Sequence, residues 1–317
     1  MSPSVSSRRA LLALAAASAL ALTACGGTGE GPGASPPGSD GGGGPSADFL
    51  ADAPVADDSL FIDGSTMAEI RERGHLVVGA SSDAPLMSQK NPVTGEYEGF
   101  DAYMGQLLAT YIFGEPKVEV VSSATQTREA LLQNHTVDVV LQSYSITPER
   151  AEQVTFVGPY LSSGFQIATR QDTTDISELA DLNGRTVIAG ANTPAIARIE
   201  EAAPDAEIVT FETDPACVQA LLQGRGDAYV QDNIILAGSL ETNPELRVGG
   251  EPFDPGDMGI GVPKDQEDMA EFVNDWLTTV VEDGSWERVW DASLGSALGD
   301  GTPPTVGSVP DVYTGRD

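Results

Sequence analysis

Cysteine and histidine are nearly missing from this chain, with two of each in 317 residues. Two cysteines cannot build a disulfide framework. The histidines, His75 and His135, fall in separate segments that both read as strand entries or turns. A metal site or a histidine-based catalytic triad is therefore not expected. Basic residues are scarce as well: 16 Lys and Arg stand against 48 Asp and Glu, a formal charge of −32. Nucleic-acid binding needs a basic footprint, so it is excluded as a function class. The acidity reads as a solvated, mutually repulsive surface and specifies no cationic ligand. There is no GxxxxGK[ST] loop, GxSxG elbow, HExxH pair or GxGxxG turn after a strand. No catalytic residue, cofactor or metal is expected, although carboxylates are plentiful enough that their absence from catalysis does not follow from missing motifs.

Long apolar runs are also absent. The longest, Ala10–Leu22, follows Arg8 and Arg9 and is too short to span a bilayer. A charged start, a short apolar stretch and small residues define a secretory signal. The sequence Leu22-Thr23-Ala24-Cys25 resembles the lipobox of bacterial lipoproteins. That resemblance implies a signal peptide over 1–24, lipid attachment at Cys25, and an extracytoplasmic protein anchored to the cell membrane; the alternative is an ordinary signal with a chance cysteine. Ser7–Leu12 also looks like a twin-arginine export signal. Gly26–Asp48 is almost all Gly, Pro, Ser, Ala, Thr and acids, too little apolar surface to offset the entropy of ordering. A flexible tether is expected over 25–58.

The body alternates β-type runs with helical patterns. Strands are expected at Leu76–Ala80, Val118–Val121, Val137–Leu141, Phe165–Thr169, Thr186–Ala189, Glu207–Phe211, Ala228–Val230 and Met258–Val262. Helices are expected at Asp101–Phe113, capped by Asp101, and at Arg128–Gln133, Pro194–Ala203, Pro215–Gln223 and Glu267–Val281. Such alternation implies βαβ units and largely parallel sheets. The fold class is α/β with two lobes: lobe 1 over 59–162 and again over 257–295, lobe 2 over 163–256, and a loosely held tail over 296–317. Ligands of open α/β sheets bind beyond the C-terminal strand ends, which makes the cleft between lobes the default site. Trp276, Trp286 and Trp290 read as core.

Helix openings carry the chemistry. Thr147-Pro148 and Thr193-Pro194 each follow a strand, one in each lobe. Threonine followed by proline marks a helix N-terminus, whose free N–H groups attract anions. Each alone is simply a helix start. Arg150 adds a planar fork of donors suited to a carboxylate. Asp232 ends a strand and can face an ammonium group, or serve as an ordinary cap. Cys217 reads as a buried inert thiol.

Taken in order, several segments resemble bacterial extracellular solute-binding proteins of the polar-amino-acid class, which serve ABC transporters: Ile70–Gly79, Gly99-Phe100-Asp101, Ala130–Asp138, Ser145–Arg150, Phe156–Tyr160, Asp181–Arg185, Ala220–Asp227, Asp232–Gly238 and Glu282–Trp286. Tyr144–Thr147, Thr193-Pro194, Cys217–Leu221 and Ile235–Gly238 narrow the likeness to glutamate- and aspartate-type binding lipoproteins. The resemblance implies a two-lobed periplasmic-binding-protein fold of type II, a small amino-acid ligand, and a permease partner. It places the ligand α-carboxylate on Arg150, helped by Ser143 and Ser145, with Tyr144 in the same segment. It brings Asn192 and Thr193 to the ligand from lobe 2 and sets the α-ammonium on Asp232. Arg128 would face a side-chain carboxylate, or be a surface arginine at a helix start. Ser81–Gln89 departs from the pattern, lacking an aromatic and a basic residue; Tyr103 replaces a usual Asp, and Ile188 a cysteine that would pair with Cys217. The expected mechanism is hinge closure, with crossings near Leu161–Gly164 and Pro255–Gly259. The alternatives are a sensor input to a membrane signalling partner and a fold-related dehydratase-type enzyme.

Overall fold

The computed structural model describes residues 49–308. The signal segment 1–24, Cys25, most of the expected tether and residues 309–317 lie outside the described residues.

Lobe 1 opens with α1 (Thr66–Arg73), whose N-cap Ser65 accepts a hydrogen bond from the Ala68 N–H. Strand β1 (Leu76–Ala80) follows, then a small sheet of β2 (Asp83–Ala84), β3 (Ser88–Lys90) and β4 (Tyr97–Glu98). Next come α2 (Phe100–Phe113), β5 (Val118–Ser122), α3 (Arg128–Gln133), β6 (Val139–Val140) and α4 (Pro148–Ala151). The chain then enters lobe 2 along β7 (Thr155–Arg170). There β8 (Thr186–Gly190), α5 (Ala195–Ala202), β9 (Glu207–Phe211), α6 (Asp214–Leu222), β10 (Ala228–Asp232) and α7 (Asn233–Thr242) alternate. It returns along β11 (Leu246–Val262) and closes with α8 (Glu267–Glu282), α9 (Ser285–Asp291) and α10 (Gly295–Leu298).

The main sheet runs β5-β1-β6-β11-β7-β10-β8-β9. β1 pairs in parallel with β5 and β6, and β8 with β9 and β10, as βαβ connections require. β7 and β11 pair antiparallel with each other and link the two parallel halves. The expected strands Phe165–Thr169 and Met258–Val262 are thus ends of two longer strands that serve both lobes. Their register shifts between Gly249 and Phe253, between Phe253 and Gly256, and between Met258 and Ile260. Such irregularities bend strands, and they fall at the expected crossing.

Burial separates the lobes. α1, α2, α8 and α9 cover one face of the lobe 1 sheet around Leu107, Trp276 and Trp286, while Leu132, Val140 and Phe156 fill the other. Lobe 2 has its own pair of clusters, around Ile199 and around Cys217. All three tryptophans are buried in the core, with Trp286 stacked on Trp290 and its indole N–H donating to the Tyr160 carbonyl at 2.8 Å.

Three expectations change. The tether does not reach residue 58: Phe49 is 2% exposed and stacks on Tyr103 at 4.4 Å, and Ala56 is buried in the same cluster. Tyr103 offers Phe49 a flat apolar partner, Leu50 and Ala53 pack on the same cluster, and the Ala56 N–H donates to the Tyr111 carbonyl at 2.8 Å. The described part of the tail is also packed, since Trp290 donates to the Gly299 carbonyl at 2.7 Å and the Gly307 N–H to Gly158 at 2.9 Å. Finally, Asp101 does not cap α2. The helix starts at Phe100 from Gly99, where φ is +111° and a Cβ would come within 2.7 Å of the Leu86 carbonyl. Only glycine allows that approach, and it turns Asp101 inward.

Candidate functional site

The loops beyond the C-terminal ends of the parallel strands β1, β5, β6, β8 and β9, and the end of β10, converge on one cleft, as the strand-end rule requires. The cleft holds about 730 Å³ of space including its open mouth. Its charged wall comprises Arg128, Arg150, Asp83, Asp101, Glu212, Asp214 and Asp232.

Both arginines stand at one end, against the same ring. The guanidinium of Arg128 lies 4.0 Å from the centroid of Tyr144 and that of Arg150 5.2 Å, so each gains from the ring's negative face. Arg128 donates to the carbonyls of Thr125 at 3.3 Å and Gln142 at 2.9 Å. It is buried, not a surface residue, and burial followed by the nearby Arg150 lowers its pKa to about 10. Arg150 sits on α4, capped by Thr147 as expected. Its Nη1 donates to the Ser145 carbonyl at 2.7 Å, and its Nη2 crosses the cleft to the Asn192 carbonyl at 2.9 Å. Arg150 is 8% exposed, and burial lowers its pKa too. A cation disfavoured by burial is ready to receive an anion.

Asp101 supports this end from below. Its Oδ2 accepts from the Ser143 N–H at 2.9 Å and hydroxyl at 3.2 Å, and its Oδ1 from the Tyr160 hydroxyl at 2.6 Å. These bonds hold Ser143 at φ +44°, a conformation that non-glycine residues rarely adopt. Ser143 and Ser145 both line the cleft.

Asp232 closes the cleft from lobe 2 as the last residue of β10 and the N-cap of α7, without a capping side-chain bond. It is 9% exposed. Among the described residues no side chain gives its carboxylate a hydrogen bond of normal length, and burial raises its pKa to about 7 against the pull of Ser163, Arg150 and Arg128. A buried carboxylate so poorly partnered favours a cationic group brought into the cleft.

Other expected site residues are placed differently. Thr193 and Pro194 line the cleft, but Thr193 is no cap: its hydroxyl donates back to the Gly190 carbonyl at 2.8 Å, and α5 begins at Ala195 without a capping side chain. Asn192, at φ +59°, faces a neighbouring groove and meets the cleft only through Arg150. Tyr144 is fully buried behind the arginines, and its hydroxyl donates to Glu129 at 2.7 Å. Asp83, Glu212, Asp214 and Gln231 were not singled out from the sequence, because nothing local distinguishes them from turn or strand polar residues. Cys217 is a buried free thiol in one cluster with Ile188, and burial raises its pKa to about 12. Among the described residues no three metal-ligating side chains gather in one place, and no helix is long and apolar enough to cross a membrane.

The lobes also meet beside the cleft. A Cβ on Gly238 of α7 would lie 2.3 Å from the Pro85 carbonyl of the β2–β3 turn. Alanine there raises helix propensity by about 1 kcal/mol yet blocks this approach. Gly238→Ala is expected to keep the fold and weaken ligand binding about tenfold, with small-angle scattering showing a more open particle. Unchanged affinity would mean that the contact is not needed for closure.

The model of the bacterial extracellular solute-binding proteins, family 3, matches residues 76–295. The chain belongs to this family. As a solute-binding protein it is 32% identical over 227 residues to the ABC transporter glutamine-binding protein GlnH of Bacillus subtilis, covering 71% of this chain and 83% of that one. It is 31% identical over 248 residues to the glutamate-binding protein GluB of Corynebacterium efficiens, covering 73% and 84%. The solved structure of the solute receptor for L-cysteine of Neisseria gonorrhoeae superposes with a TM-score of 0.70 at 27% identity, over 74% of this chain and 96% of that one. The expected two-lobed α/β fold and the amino-acid solute-binding function stand on these findings, and these relatives are binding proteins, not enzymes.

Proposed function

We propose that this solute-binding protein captures one free amino acid between its lobes and hands it to the permease of an ABC transporter. The α-carboxylate docks on Arg150, with Arg128 and the Ser143–Ser145 segment beside it. The α-ammonium docks on Asp232. Ligand contact with both lobes favours the closed form, because only that form offers both charges at once. One observation supports this reading above the others: Arg150 reaches across the cleft, and Asp232 waits on the opposite wall with its carboxylate poorly partnered. Calorimetric titration of the mature chain with the free amino acids tests it, and one-to-one binding of at least one of them is the expected result. Failure of all of them would remove the amino-acid reading.

The export and anchoring of the protein rest on Arg8–Cys25. A lipid on Cys25 would keep the body near its permease. In cells, Cys25→Ser is expected to shift the protein from the membrane fraction to the medium; retention in the membrane would count against the anchor.

A further inference from the structure

The two ends of the cleft differ in charge. Every cation on its wall is at one end, where Arg128 and Arg150 share the Tyr144 ring. The other end joins Asp83 of lobe 1 to Glu212 and Asp214 of lobe 2. Contacts between the lobes bring these groups together. Asp83 lies two residues before Pro85, Pro85 packs against Gly238, and the neighbouring Ser239 donates to Asp214 Oδ2 at 2.6 Å.

The partners of Asp214 fix it as an acceptor. Gln231 Nε2 donates to the Tyr229 hydroxyl at 2.8 Å, which leaves that hydroxyl to donate to Asp214 Oδ1 at 2.9 Å. Gln231 in turn accepts from the Asp232 N–H at 2.9 Å, so the chain of bonds runs from one end of the cleft to the other. Among the described residues Asp83 accepts only from the Ser81 hydroxyl, at 2.8 Å, through Oδ1 and leaves Oδ2 for another donor. The charged neighbour that perturbs Asp214 is Asp83, whereas arginines perturb Asp101 and Asp232.

Building on the docking of the α-groups proposed above, we infer that this acidic end selects an amino acid whose side chain ends in an N–H donor, an amide or a cation, and rejects dicarboxylic amino acids. A side-chain carboxylate would enter a low-dielectric space beside two carboxylates with no counter-charge within that end, and like charges there repel strongly. An amide or cation instead supplies a donor to Asp83 Oδ2 and a partial or full positive charge beside the already hydrogen-bonded carboxylate of Asp214. Arg128 does not offset this, because it belongs to the α-carboxylate end. Of the sequence expectation of glutamate, aspartate or their amides, the amides remain.

The test is titration of the mature chain at pH 8 with glutamine, asparagine, arginine, glutamate and aspartate. Binding of glutamine, asparagine or arginine at least tenfold tighter than either dicarboxylic acid is expected. Glutamate or aspartate binding as tightly as the best of the others would overturn the inference. A second arm repeats the titration with Asp83→Asn, which leaves the bonds of Tyr229 and Ser239 to Asp214 intact, and with Asp83→Asn/Asp214→Asn. Discrimination against glutamate should shrink at least tenfold; discrimination that survives in both variants also overturns the inference. Silence to all five extends the titration to the remaining free amino acids: binding of one without a side-chain N–H donor overturns the inference alone, and silence to every one removes the docking of the α-groups, and the inference with it.

Discussion

An Arg150→Ala variant is expected to bind its amino acid about thirtyfold or more weakly. Truncating one partner of a buried, hydrogen-bonded charge pair costs about 2–5 kcal/mol, which is roughly 30- to 4,000-fold in affinity. The α-carboxylate would then enter a buried cleft without its main donor. The bond from Nη2 to the Asn192 carbonyl would go too, and with it a direct link between lobes. Deleting this cation removes its burial cost but takes the counter-charge from Glu129, 3.9 Å away, so stability and affinity are read side by side. Arg150→Lys should recover little, because a point charge cannot replace two fork contacts. Calorimetry gives the affinity and thermal melting the stability. Wild-type affinity in Arg150→Ala would show that the carboxylate sits elsewhere.

The second large effect is on pH. Asp232 has a pKa of about 7 in place of 3.8. An ammonium ligand needs it ionised. Above pH 7 it is already so, and affinity should be nearly flat. Below pH 7 the ligand must expel a proton, so affinity should fall by up to tenfold per pH unit. Asp101, with a pKa of about 6, steepens the fall once it too takes a proton and loosens Ser143. Arg150, Arg128 and Ser163 are the other groups that act on Asp232, and the arginines stay charged throughout. Titrations at pH 6 in buffers of different ionisation heat should show proton release on binding. Asp232→Asn should bind about a hundredfold more weakly at pH 8 and lose most of the pH dependence between 6 and 7. No proton release, together with undiminished affinity in Asp232→Asn, would place the ammonium elsewhere.

Stability without ligand has the opposite slope. Where the native pKa is raised, the folded state holds more protons than the unfolded state between pH 3.8 and the raised value, so stability falls as pH rises through that window. Asp101 and Asp214, both near 6, and Asp232 near 7 all act in this sense. The unliganded protein should melt higher at pH 5 than at pH 8, and ligand should raise the melting temperature most at pH 8.

Much of this protein is set by local pattern. α3 at Arg128–Gln133 and β9 at Glu207–Phe211 form over the expected residues, because period and flanking turns agree there. Thr147-Pro148 opens α4 because a cap and a preset φ act within four residues. The first half of β7 was not legible. It is buried on both faces and interrupted by Gly158-Pro159, so it shows no alternation and reads as broken. Asp101 looked like a cap because the sequence does not show Leu86 pressing on Gly99.

The sequence alone determined the α/β alternation, the two lobes, and the family segments that carry Arg150 and Asp232. These follow from local periodicity and short motifs. Only the tertiary structure decided that Arg128 and Arg150 share one ring, that Arg150 spans the cleft, and that Asp83 and Asp214 line one cleft. Those relations join residues from different strand ends, and no local propensity specifies which loops converge when two sheets are joined through β7 and β11.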